Sequence, residues 1–148
     1  KVYKKKADKR GVKLIFPVDY VCANAIDSTD TKVYDETTGI PADLAGFDIG
    51  PKSVEQVKAA IARCKTVLWN GPLGVFEKEQ FMSGTMGAVE GCVNSGATVI
   101  CGGGETVMAV EKYGAKDKIA HVSTGGGASL ELLEGKEMPG ILVLDEKQ

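Results

Sequence analysis

Short apolar, β-branched runs alternate with helical runs along most of this chain, and that alternation restricts its fold more than any other feature. The strand candidates are Val12–Pro17, Thr66–Asn70, Ala97–Cys101 and Ile119–Ser123. Each is compact and apolar, as expected of strands buried on both faces. Helical runs are expected at 53–65, 77–94, 105–113 and 127–134. In the first, Val54, Val57, Ile61 and Cys64 share a face, Ser53 and Gln56 have capping-box spacing, and Pro51 stands just before the start. In the second, Met82, Met86, Val89 and Val93 share a face, while Gly84, Gly87 and Gly91 each cost ~1 kcal/mol relative to Ala. The last two stop at Gly114 and Gly135, which suit left-handed C-caps. The stretch 18–50 fits less well. Val21–Ala25 reads as a short strand or turn, Thr31–Thr37 as a polar hairpin arm, and the remainder, with Gly39, Pro41, Gly46, Gly50 and Pro51, as loop.

Strand–helix alternation implies an α/β, Rossmann-like three-layer arrangement, a parallel sheet with helices on both faces. About four strands are present where a doubly wound domain usually has five or six. The chain also opens on Lys1 within a helical run, without an initiating Met. Residues 1–148 are therefore expected to form part of a domain, with an upstream portion missing.

At 148 residues, 43% hydrophobic and 26% charged, the chain can bury one core and is not disordered by composition. A net charge of -2 gives no nucleic-acid surface. Lys4, Lys5, Lys6, Lys9 and Arg10 read as a solvated helix face rather than a polyanion site. Cys22, Cys64, Cys92 and Cys101 form no CxxC pair, and His121 has no ligand partner at metal spacing, which argues against zinc. Cys64, Cys92 and Cys101 sit in apolar patterns and are expected as buried, reduced thiols of an intracellular protein. No apolar run approaches the ~20 residues that span a bilayer.

Two glycine triplets follow strand candidates and precede helices: Gly102-Gly103-Gly104 before Glu105, and Gly125-Gly126-Gly127 before Ala128. A helix start offers unpaired amides and about half a positive charge, and glycine lets an anion approach them. Both exits would lie on the carboxyl edge of a parallel sheet, where ligands bind. The alternative is that the glycines only make tight turns; the pattern alone leaves the two readings about even. No Lys follows as in a Walker loop, and an unspaced glycine run is not the dinucleotide fingerprint. A third feature is the loop Asn70–Glu77. Its amide and carboxylate suit a sugar or phosphate ligand, although spacing alone favours Asn70 satisfying the turn backbone and Glu77 capping a helix.

The segments Trp69–Glu77, Gly102–Thr106 and Ser123–Lys136 resemble three signature stretches of the phosphoglycerate kinases, the third most specifically. Leu14–Asp19 resembles the family's strand ending Pro-Val-Asp, and Gly39–Pro51 its Gly-Ile-Pro-Ala…Gly-Pro segment. The resemblance spans nearly the whole chain in the family's order. It implies the nucleotide-binding, C-terminal part of a two-domain, cytoplasmic, monomeric kinase. That kinase transfers the acyl phosphate of 1,3-bisphosphoglycerate to Mg-ADP, giving ATP and 3-phosphoglycerate, without nucleic-acid or membrane partners. By this resemblance Gly46 and Phe47 line the adenine pocket, with Leu73 and Val75 opposite. Asn70 and Pro72 approach the nucleotide, and Glu77 accepts from the ribose. Gly103, Gly104, Glu105 and Thr106 hold the phosphates and magnesium, with Glu105 nearest the metal. Gly125, Gly126 and Gly127 present amides to the transferring phosphoryl group alongside Gly104. Glu105 stands where the family usually has Asp, and Leu142–Gln148 departs from the usual C-terminus. The family's substrate domain, with its basic phosphoglycerate site, and its early phosphate-contacting lysines have no counterpart in these residues. An alternative is a non-catalytic nucleotide-binding module without the substrate domain.

Overall fold

The computed structural model describes residues 2–144. The chain opens with helix α1 (Val2–Arg10), followed by an antiparallel unit of strands β1 (Asp19–Ala23), β2 (Lys32–Asp35) and β3 (Ala45–Ile49) in the order β2-β1-β3. Helix α2 (Pro51–Ile61) leads to a parallel sheet of β4 (Thr66–Asn70), β5 (Thr98–Gly102) and β6 (His121–Ser123). Helix α3 (Ser83–Asn94) connects β4 to β5, and α4 (Gly104–Lys112) connects β5 to β6. Helices α5 (Gly126–Leu133) and α6 (Pro139–Leu142) follow. The mixed α/β class with a parallel sheet is as the alternation implies.

Three local expectations give way to tertiary structure. The run Val12–Pro17 joins no sheet among the described residues, and Phe16 remains 64% exposed. Apolar composition makes a strand only where a neighbour can take up the backbone N–H and C=O groups. Conversely, β3 arises in the glycine-rich stretch expected to be loop, because its backbone pairs with β1, Tyr20 opposite Ile49 and Val21 opposite Asp48. Finally, α2 begins at Pro51, so Ser53 lies inside it and makes no capping box. Its hydroxyl instead accepts from the Val18 amide at 2.9 Å and donates to Asp19 Oδ1 at 2.6 Å.

Asp19 supplies the missing cap from β1: Oδ2 accepts from the Lys52 amide at 3.0 Å and Oδ1 from the Ser53 amide at 2.8 Å. Both groups are the orphan donors of a helix start, and Pro51, having no N–H to satisfy, suits the first position.

The core of the parallel unit gathers Trp69, Val99 and Cys101 from the sheet with Ala88, Val89 and Cys92 of α3, Val110 of α4, and Ala115 and Ile119 beyond it. Val99 and Cys101 alternate to one face, as strand geometry requires, whereas Leu68 on the other face of β4 is 39% exposed. The buried stripe of α3 is not Met82-Met86-Val89-Val93: Met86 is 38% exposed. Gly84, Thr85, Gly87, Ala88, Gly91 and Cys92 are buried with Val89. A methyl at Gly87 would collide with Val54 of α2, and one at Gly91 would lie 3.3 Å from Ile61 Cδ1. The glycines that weaken α3 in isolation thus let two helices pack at short range, as small residues do in close helix pairs. Cys22, Cys92 and Cys101 are buried; Cys64, expected inside, is exposed because α2 ends before it.

Candidate functional site

Register aligns the three parallel strands at their carboxyl ends: Asn70 lies opposite Gly102, and Gly102 opposite Ser123. The two glycine turns therefore leave one rim side by side. They touch: the Gly103 amide donates to the Ser123 carbonyl at 2.9 Å, and a Cβ on Gly126 would stand 2.8 Å from Gly103 Cα and 2.9 Å from its nitrogen. Only a residue without a side chain fits at Gly126. Gly103 adopts φ 93°, a conformation that side-chain-bearing residues rarely take.

Asn70 sits between the turns. Its Nδ2 donates to the Gly126 carbonyl at 3.3 Å, and a Cβ on Gly103 would lie 3.2 Å from its Oδ1. The adjoining Gly71 amide donates to the Thr106 hydroxyl of α4 at 2.7 Å, and Trp69 Nε1 donates to the Gly71 carbonyl at 2.6 Å. The ends of β4, β5 and β6 are thus joined by hydrogen bonds that leave the helix starts open. Neither α4 nor α5 has a side-chain cap. Their first amides have no intrahelical acceptor, and the helix dipole makes that end positive.

Not every expected group is free for a ligand. Thr106 is fully buried with its hydroxyl occupied by Gly71. The Gly125 amide donates to Ser123 Oγ at 3.1 Å, and that of Gly126 to the Thr124 carbonyl at 3.1 Å. Gly104, Glu105 and Gly127 are exposed at the helix starts. Glu105 is the only acidic residue in the first turn of α4. Among the described residues no cluster of three or more His, Cys, Asp or Glu side chains could hold a metal by itself. One carboxylate beside open amides still fits magnesium carried in by a nucleotide, since that ion takes few protein ligands and several phosphate or water oxygens.

The loop 70–76 also connects this rim to β3. The Val75 amide donates to the Phe47 carbonyl at 2.9 Å, and the Phe47 ring lies 4.9 Å from that of Phe81. Gly46 is exposed beside them. Pro72 and Leu73 line a cleft with Val57, Ile61, Trp69 and Asn70, and the Leu73 amide donates to Thr85 Oγ1 at 3.1 Å. Val75, but not Leu73, is shown bonded to Phe47. Glu77 is exposed on a turn ahead of the short 3-10 segment Glu79–Phe81 and caps no helix.

Sequence reasoning missed Asp48. This residue is 4% exposed; Oδ2 accepts from the Gly84 amide at 2.7 Å and Oδ1 from its neighbour Ile49 at 2.8 Å. Burial pushes its carboxyl above the ordinary range, and the two amides only partly offset this. The Asp-Ile-Gly-Pro run before α2 was its one available signal.

With this geometry in hand, comparison with known proteins is specific. The family model described as phosphoglycerate kinase matches residues 1–136. A phosphoglycerate kinase of Yarrowia lipolytica is 55% identical over 148 residues, covering 97% of this chain and 35% of its own length. That of Saccharomyces cerevisiae is 50% identical over 147 residues, again with 97% and 35% coverage. The chain therefore spans about a third of the length of these curated relatives. Among solved structures, phosphoglycerate kinase from Coxiella burnetii superposes with a TM-score of 0.88 at 36% identity, over 95% of this chain and 36% of the other. The enzyme from Pyrococcus horikoshii gives 0.76 at 30% identity, over 94% and 34%. The chain belongs to the phosphoglycerate kinase family.

Proposed function

We propose that this chain supplies part of the nucleotide site of a phosphoglycerate kinase, which moves the acyl phosphate of 1,3-bisphosphoglycerate reversibly to ADP to give ATP and 3-phosphoglycerate. The observation that carries this reading is the pair of uncapped helix starts on touching glycine turns at one sheet edge. Two positive helix ends converging on one rim suit a chain of phosphates better than a single anion.

The amides of Gly104 and Glu105 would receive the nucleotide phosphates, with Gly103, whose own amide is spent on the Ser123 carbonyl, shaping the turn beneath them, while Asn70 braces the two turns and borders the same space. Gly127, at the exposed start of α5, would point an amide at the transferring phosphoryl group, with Gly125 and Gly126 setting its position. Gly46 and Phe47, with Val75, Pro72 and Leu73 on the facing loop, would take the base, and the exposed Glu77 would accept from the ribose. Thr106, fully buried with its hydroxyl accepting from Gly71, would act by holding the loop after β4 against the start of α4. Glu105 would hold magnesium, whose charge offsets that of the phosphates when bound. Direct transfer without a covalent enzyme intermediate would be carried by positioning and charge stabilisation. Phosphoglycerate would be bound by the remaining two-thirds of a family-length protein. Four free thiols agree with a cytoplasmic setting.

Calorimetry with Mg-ADP and a coupled ATP assay test this reading in a family-length kinase carrying this chain. Saturable Mg-ADP binding and turnover are expected there, and no turnover from the 148-residue chain alone. Glu105→Gln should weaken Mg-ADP about tenfold and metal-free ADP little. A wild-type kinase that bound no nucleotide would end the assignment.

A further inference from the structure

Asp48 has no role in the site just described, yet it touches three of the parts that build it. Its carboxylate fills the space left by the missing side chains of Gly74, in the loop after β4, and Gly84, in the first turn of α3; a methyl at either position would collide with it. It also accepts the Gly84 amide at 2.7 Å. Its neighbour Phe47 accepts the Val75 amide at 2.9 Å. One buried residue thus joins β3, the loop 70–76 and the start of α3. That loop begins at Asn70, the brace between the glycine turns.

We propose that Asp48 is a positioning residue that fixes the height of the loop 70–76 above β3 and α3, and thereby sets nucleotide affinity without touching the nucleotide. The inference rests on the nucleotide reading given above. Physically, the loop can settle only as deep as the carboxylate permits at Gly74, and the carboxylate is itself held by a helix-start amide. Removing its charge weakens that anchor and frees the loop to shift relative to Phe47.

The fold contains its own control. Asp19 has the same chemistry: it is 1% exposed, caps α2 through the Lys52 and Ser53 amides, and fills the space over Gly50. None of its hydrogen bonds reaches the loop. If buried carboxylate caps matter only for stability, Asp48→Asn and Asp19→Asn should behave alike.

The experiment compares wild type, Asp48→Asn, Asp19→Asn and Gly74→Ala in a family-length kinase carrying this chain. It measures Mg-ADP affinity by calorimetry, KM for each substrate, and Tm. Asp48→Asn and Gly74→Ala are expected to raise the nucleotide Kd and KM about fivefold or more, the scale of one lost charge-assisted hydrogen bond, and to leave KM for the phosphoglycerate substrate within about twofold. Asp19→Asn is expected to lower Tm and leave nucleotide KM within about twofold. The inference is overturned if the Asp48 and Gly74 variants move nucleotide KM no more than Asp19→Asn does, or move both substrates equally. Gly74→Ala decides the matter should Asp48→Asn fail to fold. Wild-type protein that binds no Mg-ADP would overturn the nucleotide reading with it, whereas wild type that binds and variants that bind equally would overturn this inference alone.

Discussion

Gly126→Ala is the sharpest single probe of the proposed site. The new methyl would lie 2.8 Å from Gly103 Cα, 2.9 Å from Gly103 N and 3.3 Å from Asn70 Nδ2. Two of those three atoms are backbone, so no rotamer change relieves them. Opening the contact to an ordinary ~3.6 Å separates the turns by close to 1 Å, and overpacking of this kind costs about 1–3 kcal/mol. The gain from replacing a helical Gly by Ala is at most ~1 kcal/mol. A net loss of about 1–2 kcal/mol is expected, together with a disrupted Asn70–Gly126 bond. Because the same displacement moves one helix start relative to the other, Mg-ADP affinity should fall about tenfold or more. The assay is thermal unfolding with and without nucleotide, alongside calorimetry, in a family-length kinase. Gly127→Ala is the stability control: nothing lies within 4 Å of its Cβ, so Tm should hold or rise slightly. The reasoning is refuted if Gly126→Ala leaves both Tm and the nucleotide Kd unchanged.

Two further outcomes follow from the packing and the buried carboxylates. Gly87→Ala places a methyl against Val54, so it should lower stability by about 1–3 kcal/mol despite its better helix propensity, and Val54→Ala should restore much of the loss; Tm measurements on the single and double variants check this. Asp19 and Asp48 should give opposite pH signatures in denaturant titrations. Burial raises the Asp19 carboxyl, but bonds from Ser53 and the Lys52 amide outweigh it and the net shift is downward. Its contribution is therefore present above 3.8 and lost as pH falls through its folded value, and Asp19→Asn should flatten the acid limb of the stability profile. Asp48 is raised, so its protonated form favours the folded state: that contribution is present below 3.8 and lost as pH rises through its folded value, and Asp48→Asn should remove this opposing slope.

The parts legible in the chain were those whose signal lies within a few neighbouring residues. Strands β4, β5 and β6 fall within about two residues of the expected runs, because β-branched and apolar residues suit a pleated, half-buried surface. The turns after β5 and β6 were marked by glycine runs, and Gly114 and Gly135 take the left-handed conformation expected at helix exits. Resemblance to the family extended that reading to individual residues, but it did not indicate which amides the fold occupies internally.

Tertiary structure decided whatever depends on partners far apart in sequence. Val12–Pro17 is as apolar as the true strands and forms none among the described residues, since pairing needs a neighbour. The sequence of β3 promised a loop, and ladder bonds to β1 made it a strand. Glycines at 84, 87 and 91 weaken a helix taken alone, yet they admit Asp48, Val54 and Ile61. Asn70 meets Gly126 across 56 residues and Asp48 meets Gly84 across 36. Local sequence thus determined where the backbone turns and which runs are apolar enough to bury, because torsional preference and hydrophobicity belong to each residue. Only the folded chain determined which donors remain open and which are spent, because satisfying a buried polar group depends on what the fold brings beside it.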